Sequence, residues 1–272
     1  MKLQIKILIF CLAIFTIGCS LDNESDQNID SDQFSVFIQN ELMEVLALPT
    51  HTPIGKLHMA ITYGGSSDMM VSSREIFYPI NGLSTYHIFR NGTGDTTGLA
   101  LNLLEDDEII SSSYFAFREG KVDWEFTREM EYNSDGLIDR MYTSNYSRNR
   151  ELVSIYHYDS QNRLLEIEYP YEQGAELLVY AYDEEGKVIS EWKTARGQED
   201  YKLEYFIYRY DNDLLEAKET GHGGVFSEER KDALRYFYDP SDRLILEKRF
   251  DPNFGFQQIG RVEYTYFDSF NN

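Results

Sequence analysis

The sequence predicts a mainly β protein: an antiparallel meander of repeated hairpins that curls into a curved sheet or an open barrel, with one short N-terminal helix. Three observations carry this. A tyrosine-aspartate phrase recurs six times in the second half of the chain. Alternating Tyr, Val, Ile and Phe flank each copy, as a pleated strand requires. Turn residues separate the strands at short, regular intervals.

The chain has 272 residues, of which 42% are hydrophobic and 15% aromatic, including 21 Tyr and 17 Phe. That supply of apolar side chains excludes general disorder. A net charge of −22 excludes nucleic acid as a partner, because phosphate binding needs clustered Lys and Arg. No apolar run reaches the roughly 18 residues of a spanning helix.

Residues 1–18 carry Lys2 and Lys6 followed by the apolar stretch Ile7–Gly18, the pattern of a secretory signal peptide. The ending Thr16-Ile17-Gly18-Cys19 resembles the bacterial lipobox, with Thr in place of the usual Leu three residues before the cysteine. That resemblance implies cleavage before Cys19 and a lipid on its sulfur, hence a membrane anchor. The two cysteines are Cys11 and Cys19, so cleavage leaves one thiol, no internal disulfide and a net charge of −24. Residues 19–32 are acidic and almost free of hydrophobics, which suits a flexible tether. Acids directly after a lipidated cysteine also resemble the surface-export signal of Bacteroidota lipoproteins. The expected location is therefore the outer membrane, on its surface or its periplasmic face.

Residues 33–124 form a β-rich N-terminal region. Phe34, Phe37, Ile38, Leu42, Val45 and Leu46 fall near helical spacing, so Asp32–Leu46 reads either as one short helix capped by Asp32 or as an irregular strand. Strands follow over Lys56–Tyr63, Glu75–Tyr78, Ser84–Arg90 and Leu99–Leu104, then a hairpin of Ser113–Arg118 and Val122–Arg128. This region either extends the sheet of the second half or packs against it.

Residues 125–272 hold the repeat. Its phrase is Tyr156-His157-Tyr158-Asp159, Tyr180-Ala181-Tyr182-Asp183, Tyr208-Arg209-Tyr210-Asp211 and Tyr236-Phe237-Tyr238-Asp239. Tyr132-Asn133 is a degenerate early copy and Tyr264-Thr265-Tyr266-Phe267-Asp268 a terminal one. Anchor tyrosines 132, 158, 182, 210, 238 and 266 stand 26, 24, 28, 28 and 28 residues apart, room for two strands and two connections. After most anchors comes a turn and then Arg or Lys with two aliphatics, as in Asn162-Arg163-Leu164-Leu165. Each unit is thus a hairpin with a tight turn. The phrase resembles the YD repeat of the RHS family, over about residues 125–268. In that family long arrays build β-sheet shells around toxin cargo, and short arrays occur on cell surfaces. Five hairpins are too few for a large shell.

The turn residues Asp159, Asp183, Asp211 and Asp239 suggest calcium at first sight. Equivalent carboxylates two strands apart lie roughly 10 Å from one another, too far to share an ion that holds oxygens at about 2.3–2.6 Å. Each is expected to cap its own turn, and no metal or cofactor is implied. The five histidines show no His-Glu-x-x-His spacing, and no Gly-x-Ser-x-Gly elbow occurs. Strand carboxylates such as Glu166 and Glu168 leave glycoside hydrolysis open without picking out a pair.

Tyrosine excess is the most informative chemistry. Tyr180, Tyr182, Trp192, Tyr208, Tyr210, Tyr236 and Tyr238 are the candidate ligand-contacting residues, since aromatic rings offer flat faces to sugars and edges to proteins. The same rings would also serve ordinary cross-strand packing. The sequence thus supports a lipid-anchored, non-catalytic binding or scaffolding module, its partner a glycan or an envelope protein. Capping of a toxin-associated partner through an open sheet edge and glycan hydrolysis are the alternatives.

Overall fold

The computed structural model describes residues 50–51, 56–64, 69–79, 82–170, 175–198, 201–221, 224 and 228–267. The signal peptide, Cys19, the acidic tether and the Asp32–Leu46 helix or strand lie outside these residues.

The described residues form seventeen strands: β1 (Thr50–His51), β2 (Leu57–Gly64), β3 (Met70–Pro79), β4 (Ser84–Asn91), β5 (Thr96–Glu105), β6 (Glu108–Arg118), β7 (Lys121–Tyr132), β8 (Ile138–Asn145) and β9 (Arg148–Tyr158). They continue with β10 (Leu164–Tyr169), β11 (Glu176–Tyr182), β12 (Val188–Ala195), β13 (Glu204–Asp211), β14 (Leu214–Thr220), β15 (Lys231–Tyr238), β16 (Leu244–Asp251) and β17 (Gln257–Tyr266). Each of β2–β17 pairs antiparallel with its neighbours in sequence, and β17 pairs with β2. The meander therefore closes into a 16-stranded barrel, with the two-residue β1 lying on the end of β3. This corrects the expected open barrel. An open sheet would leave two rows of unpaired backbone groups, whereas closure satisfies both and removes the edges. The open edge required for partner capping is absent from the described sheet. The strands of the front half, β2–β7, belong to this same sheet.

One bond explains the anchor tyrosine. The hydroxyls of Tyr158, Tyr182, Tyr210, Tyr238 and Tyr266 donate to the carbonyls of Ile138, Leu164, Val188, Leu215 and Leu244 at 2.7–2.9 Å. Each acceptor is the first or second residue of the return strand of the preceding unit, so every anchor fastens its hairpin to the one before. Tyr132 makes the equivalent bond to Ile109, at 2.8 Å.

A second device bends the sheet. Beside each anchor the return strand carries one extra residue, a β-bulge: Asp139, Leu165, Ile189, Glu216 and Ile245. Bulges raise local twist and curvature, which a closed barrel needs. The pattern also explains why the second aliphatic of the repeat, as in Arg163-Leu164-Leu165, is partly exposed: Leu165 40%, Ile189 41% and Ile245 39%.

The front half uses the same construction in altered letters. Leu104 pairs with Ile109 across a bulge at Ile110, so it holds an anchor position without a hydroxyl. Tyr78 donates to Leu57 at 3.0 Å and holds another. Anchors thus fall at 78, 104, 132, 158, 182, 210, 238 and 266, giving eight two-strand units. The joint between β17 and β2 follows the same register, with Tyr266 opposite Leu57 and His58 as the bulge.

Between these rims, Leu99, Leu101, Phe115, Val122 and Trp124 form an apolar core across β5–β7. In the repeat half Ile167, Leu177, Tyr205 and Val262 are buried together with smaller or polar residues such as Ala217, Thr194 and Ser154.

Candidate functional site

At three of the anchors the turn is built from the aspartate. The Asp159 carboxylate accepts from the backbone N–H of Gln161 at 2.8 Å and of Arg163 at 3.0 Å, and the Arg163 guanidinium closes on its other oxygen at 2.7 Å. Asp239 repeats this with Ser241, Arg243 and the Arg243 side chain. Asp183 accepts from the Lys187 N–H at 2.8 Å. Backbone donation from Arg163 and Arg243, reinforced by their guanidinium groups, holds the Asp159 and Asp239 carboxyls below the usual range. Asp211 instead precedes the shorter turn Asn212-Asp213, both at positive φ (46° and 70°), the geometry of a two-residue hairpin loop. Among the described residues no group of three or more His, Cys, Asp or Glu could hold a metal ion.

The seven aromatic candidates separate into three groups. Tyr182, Tyr210 and Tyr238 are anchors whose hydroxyls are committed to backbone carbonyls. Two are also covered by cations: Arg163 lies 4.9 Å from the Tyr182 ring centre and Lys187 5.7 Å from that of Tyr210.

Tyr180, Tyr208 and Tyr236, the first tyrosines of each phrase, form a row away from the rim. Residues directly opposite on antiparallel strands share a face. Tyr180 stands opposite Glu191, Tyr208 opposite Lys218 and Tyr236 opposite Glu247. The Tyr208 hydroxyl donates to Glu191 Oε2 at 2.5 Å, and Lys218 Nζ donates to Glu191 Oε1 at 2.9 Å. Lys218 Nζ also sits 4.5 Å from the centre of the Tyr208 ring. Tyr, Glu and Lys thus alternate along a belt from β11 to β16. Tyr264 continues it on β17, its titration raised by burial and by the Glu247 charge. Burial and Glu191 push the Tyr180 phenol up to about 12, and the same two causes raise Tyr208 further. Burial and the charge of Glu247 raise Tyr236. These phenols stay protonated and act as hydrogen-bonding groups rather than as acids or bases near neutral pH.

Trp192 lies on the opposite face of the wall, because it alternates with Glu191 along β12 and pairs with Tyr205 and Val179. Lys202 Nζ stands 4.1 Å from the Trp192 ring centre and 4.5 Å from that of Tyr205. The sequence joined Trp192 to the tyrosines, and the sheet sets it apart from the belt.

Two polar clusters go beyond the sequence reading, which names Glu166 and Glu168 but not their partners. On β9–β10, His157 Nε2 lies 3.5 Å from Glu168 and 3.9 Å from Glu166, while Arg196 binds Glu168 at 2.7 Å. On β13–β15, Arg209 reaches Glu216 at 2.9 Å, Glu219, and Asp232 at 3.3 Å. Strand alternation gives the only advance signal for either, since the partners sit two residues or two strands apart.

No family model matches the chain, and no curated protein matches it. Three solved structures share 10–13% identity with it. A Photorhabdus luminescens Tc holotoxin pore with the TccC3 mutation D651A matches at 13% identity and a TM-score of 0.31, over 66% of this chain and 9% of that one. A TcdB2-TccC3-Cdc42 complex matches at 10% and 0.31, over 72% and 15%. A porin-like protein from Bacteroides uniformis matches at 10% and 0.32, over 80% of this chain and 99% of that one. This chain thus spans only a small part of the toxin chains.

Proposed function

We propose that this is a lipid-anchored cell-envelope protein whose barrel is a non-catalytic binding module standing on the membrane rather than in it, with a neutral glycan as ligand. The observation that carries the reading is charge on both faces of the wall at mid-strand. Glu191, Lys218 and Glu247 lie on the face of the tyrosine belt, and Arg209, Glu219 and Lys248 alternate with belt residues on the other. A membrane-spanning barrel needs one continuous apolar face about 25 Å tall. Strands β10–β16 run only 6–8 residues, against the 9–11 that a tilted spanning strand needs. The lipobox-like Cys19 would supply the attachment that the barrel itself does not.

The belt supports the choice of ligand. Its phenols remain neutral hydroxyl donors and acceptors, its Lys218 and Glu191 charges are paired with each other, and the acidic chain repels polyanions within a Debye length of about 8 Å. A glycan-array screen of the soluble chain, repeated with Tyr180→Ala and Tyr236→Ala, tests it. Sugar binding that both substitutions weaken is the expected result. Binding that neither changes, or no binding to any neutral glycan, overturns the glycan assignment.

A further inference from the structure

The β17–β2 joint is an eighth repeat hairpin that lacks its turn. In the covalent hairpins the residue after the anchor donates its N–H to the residue before the return strand: Asn133 to Leu137, Asp159 to Arg163, Asp183 to Lys187 and Asp239 to Arg243, at 2.8–3.0 Å. At the joint, Phe267 donates to Lys56 at 3.1 Å, so Lys56-Leu57 stands where Arg163-Leu164 stands in its unit. The register is conserved around the ring although no turn links these two strands.

At the joint the residue after the anchor is an aromatic one. Where the copies at Tyr158, Tyr182, Tyr210 and Tyr238 place Asp directly after the anchor, and the one at Tyr132 places Asn, the terminal copy has Phe267. An aspartate there caps a turn, and this joint has no turn to cap. Phe267 instead stacks on His58, the bulge residue of β2, with ring centres 4.4 Å apart and planes inclined by 21°, and meets Tyr78 edge-on at 6.2 Å. His58 in turn lies 3.3 Å from Glu75 on β3. The aromatic contact occupies the position at which the units of Tyr132, Tyr158, Tyr182 and Tyr238 use an Asn or Asp cap.

We propose that this joint is a clasp: the barrel opens reversibly between β2 and β17, and the Phe267–His58 stack controls how often it does so. The physical reason is chain entropy. A hairpin strand that detaches remains tethered by its turn and recloses over a few residues, whereas Leu57 and Tyr266 are separated by nearly the whole barrel chain. Loop-closure entropy rises with that separation, so the clasp gains the most freedom on opening. Each joint otherwise carries a similar ladder, with seven residue pairs at β17–β2 and five at β15–β16. Opening exposes the backbone groups of exactly two strands and leaves the other hairpins intact.

Amide hydrogen exchange of the full chain tests this strand by strand. The expected result is exchange in β2 and β17 at least tenfold faster than in β15 and β16. Phe267→Ala should accelerate β2 and β17 by a further severalfold while leaving β11–β14 unchanged. Cross-linking the opposed pair Thr62→Cys with Val262→Cys, in a chain whose own cysteines are serine, should slow both strands. A control bridge between Phe237→Cys and Leu246→Cys should leave them as they were. Equal protection of β2, β17 and β15–β16 overturns the proposal, and so does a Phe267→Ala effect spread evenly over all strands. Should the bridged chain fail to fold, the Phe267→Ala comparison decides alone.

Discussion

Tyr210 and Val188 are joined by a 2.9 Å bond from the tyrosine hydroxyl to a main-chain carbonyl one hairpin earlier. The anchor is therefore a fastener between units, whereas the turn aspartates Asp159, Asp183 and Asp239 are fasteners within one. The hydroxyl is the part of the side chain that distinguishes it from the Phe that could fill the same volume.

Replacing Tyr210 or Tyr238 by Phe keeps the ring and removes only the bond. Each is expected to cost about 1 kcal/mol, the usual net value of a neutral hydrogen bond. Tyr208→Phe should cost more, about 1.5–3 kcal/mol, because its acceptor is the charged Glu191. Urea unfolding midpoints at unchanged slope measure all three.

Glu191→Ala leaves the Lys218 ammonium, which is only 19% exposed, without its carboxylate. The expected loss is about 2–3 kcal/mol, below the range for a fully buried pair because water still reaches the amine. Pairing Glu191→Ala with Lys218→Met should recover part of it. A double-mutant cycle reads the recovered fraction.

His87 gives the barrel a pH dependence above the carboxylate range. Burial, aided by the Arg74 charge, lowers its titration from 6.5 to about 4. The unfolded chain then binds the proton first as pH falls, so stability is complete above 6.5 and is lost on descending toward 4. The full effect is about 3 kcal/mol. Melting temperature should fall between pH 7 and pH 5, and His87→Gln should flatten that slope. Asp159 and Asp239 act in a lower window: their depressed carboxyls contribute stability that is lost only as pH drops below the ordinary value of 3.8.

Attachment to the membrane should reside in one atom. Cys19→Ser is expected to abolish palmitate labelling and to release the protein to the soluble fraction without detergent. Retention of the unlipidated chain in carbonate-washed membranes would instead require one continuous apolar face, and the wall carries charge on both, with Glu191, Lys218 and Glu247 on one and Arg209, Glu219 and Lys248 on the other.

Much of the architecture could be read from letters alone, and the exceptions have specific causes. The hairpins of β8–β16 follow from Tyr-x-Tyr-Asp and its turn, because both are local. The front-half units escaped notice because their anchors are disguised: Tyr78 is followed by Pro79 rather than Asp, and Leu104 has no hydroxyl. Closure was not legible because the pairing of Tyr266 with Leu57 is non-local, and no periodicity within the sequence specifies which strands meet at the ends. At the candidate site, strand alternation separates Trp192 from Glu191 in principle. The two tyrosines of each phrase share their spacing with one face, so only the fold reveals that one fastens the rim and its neighbour faces the belt.

The unit of construction carries an arithmetic consequence. An antiparallel ring can close only with an even number of strands, since an odd one would force two parallel neighbours together. Because the module here is a whole hairpin, any gain or loss of modules preserves parity, and each added pair widens the ring by roughly 4 Å at ordinary strand spacing and tilt. Duplication of one genetic segment of about 26–28 residues would therefore change the bore of the barrel while leaving its closure rule untouched.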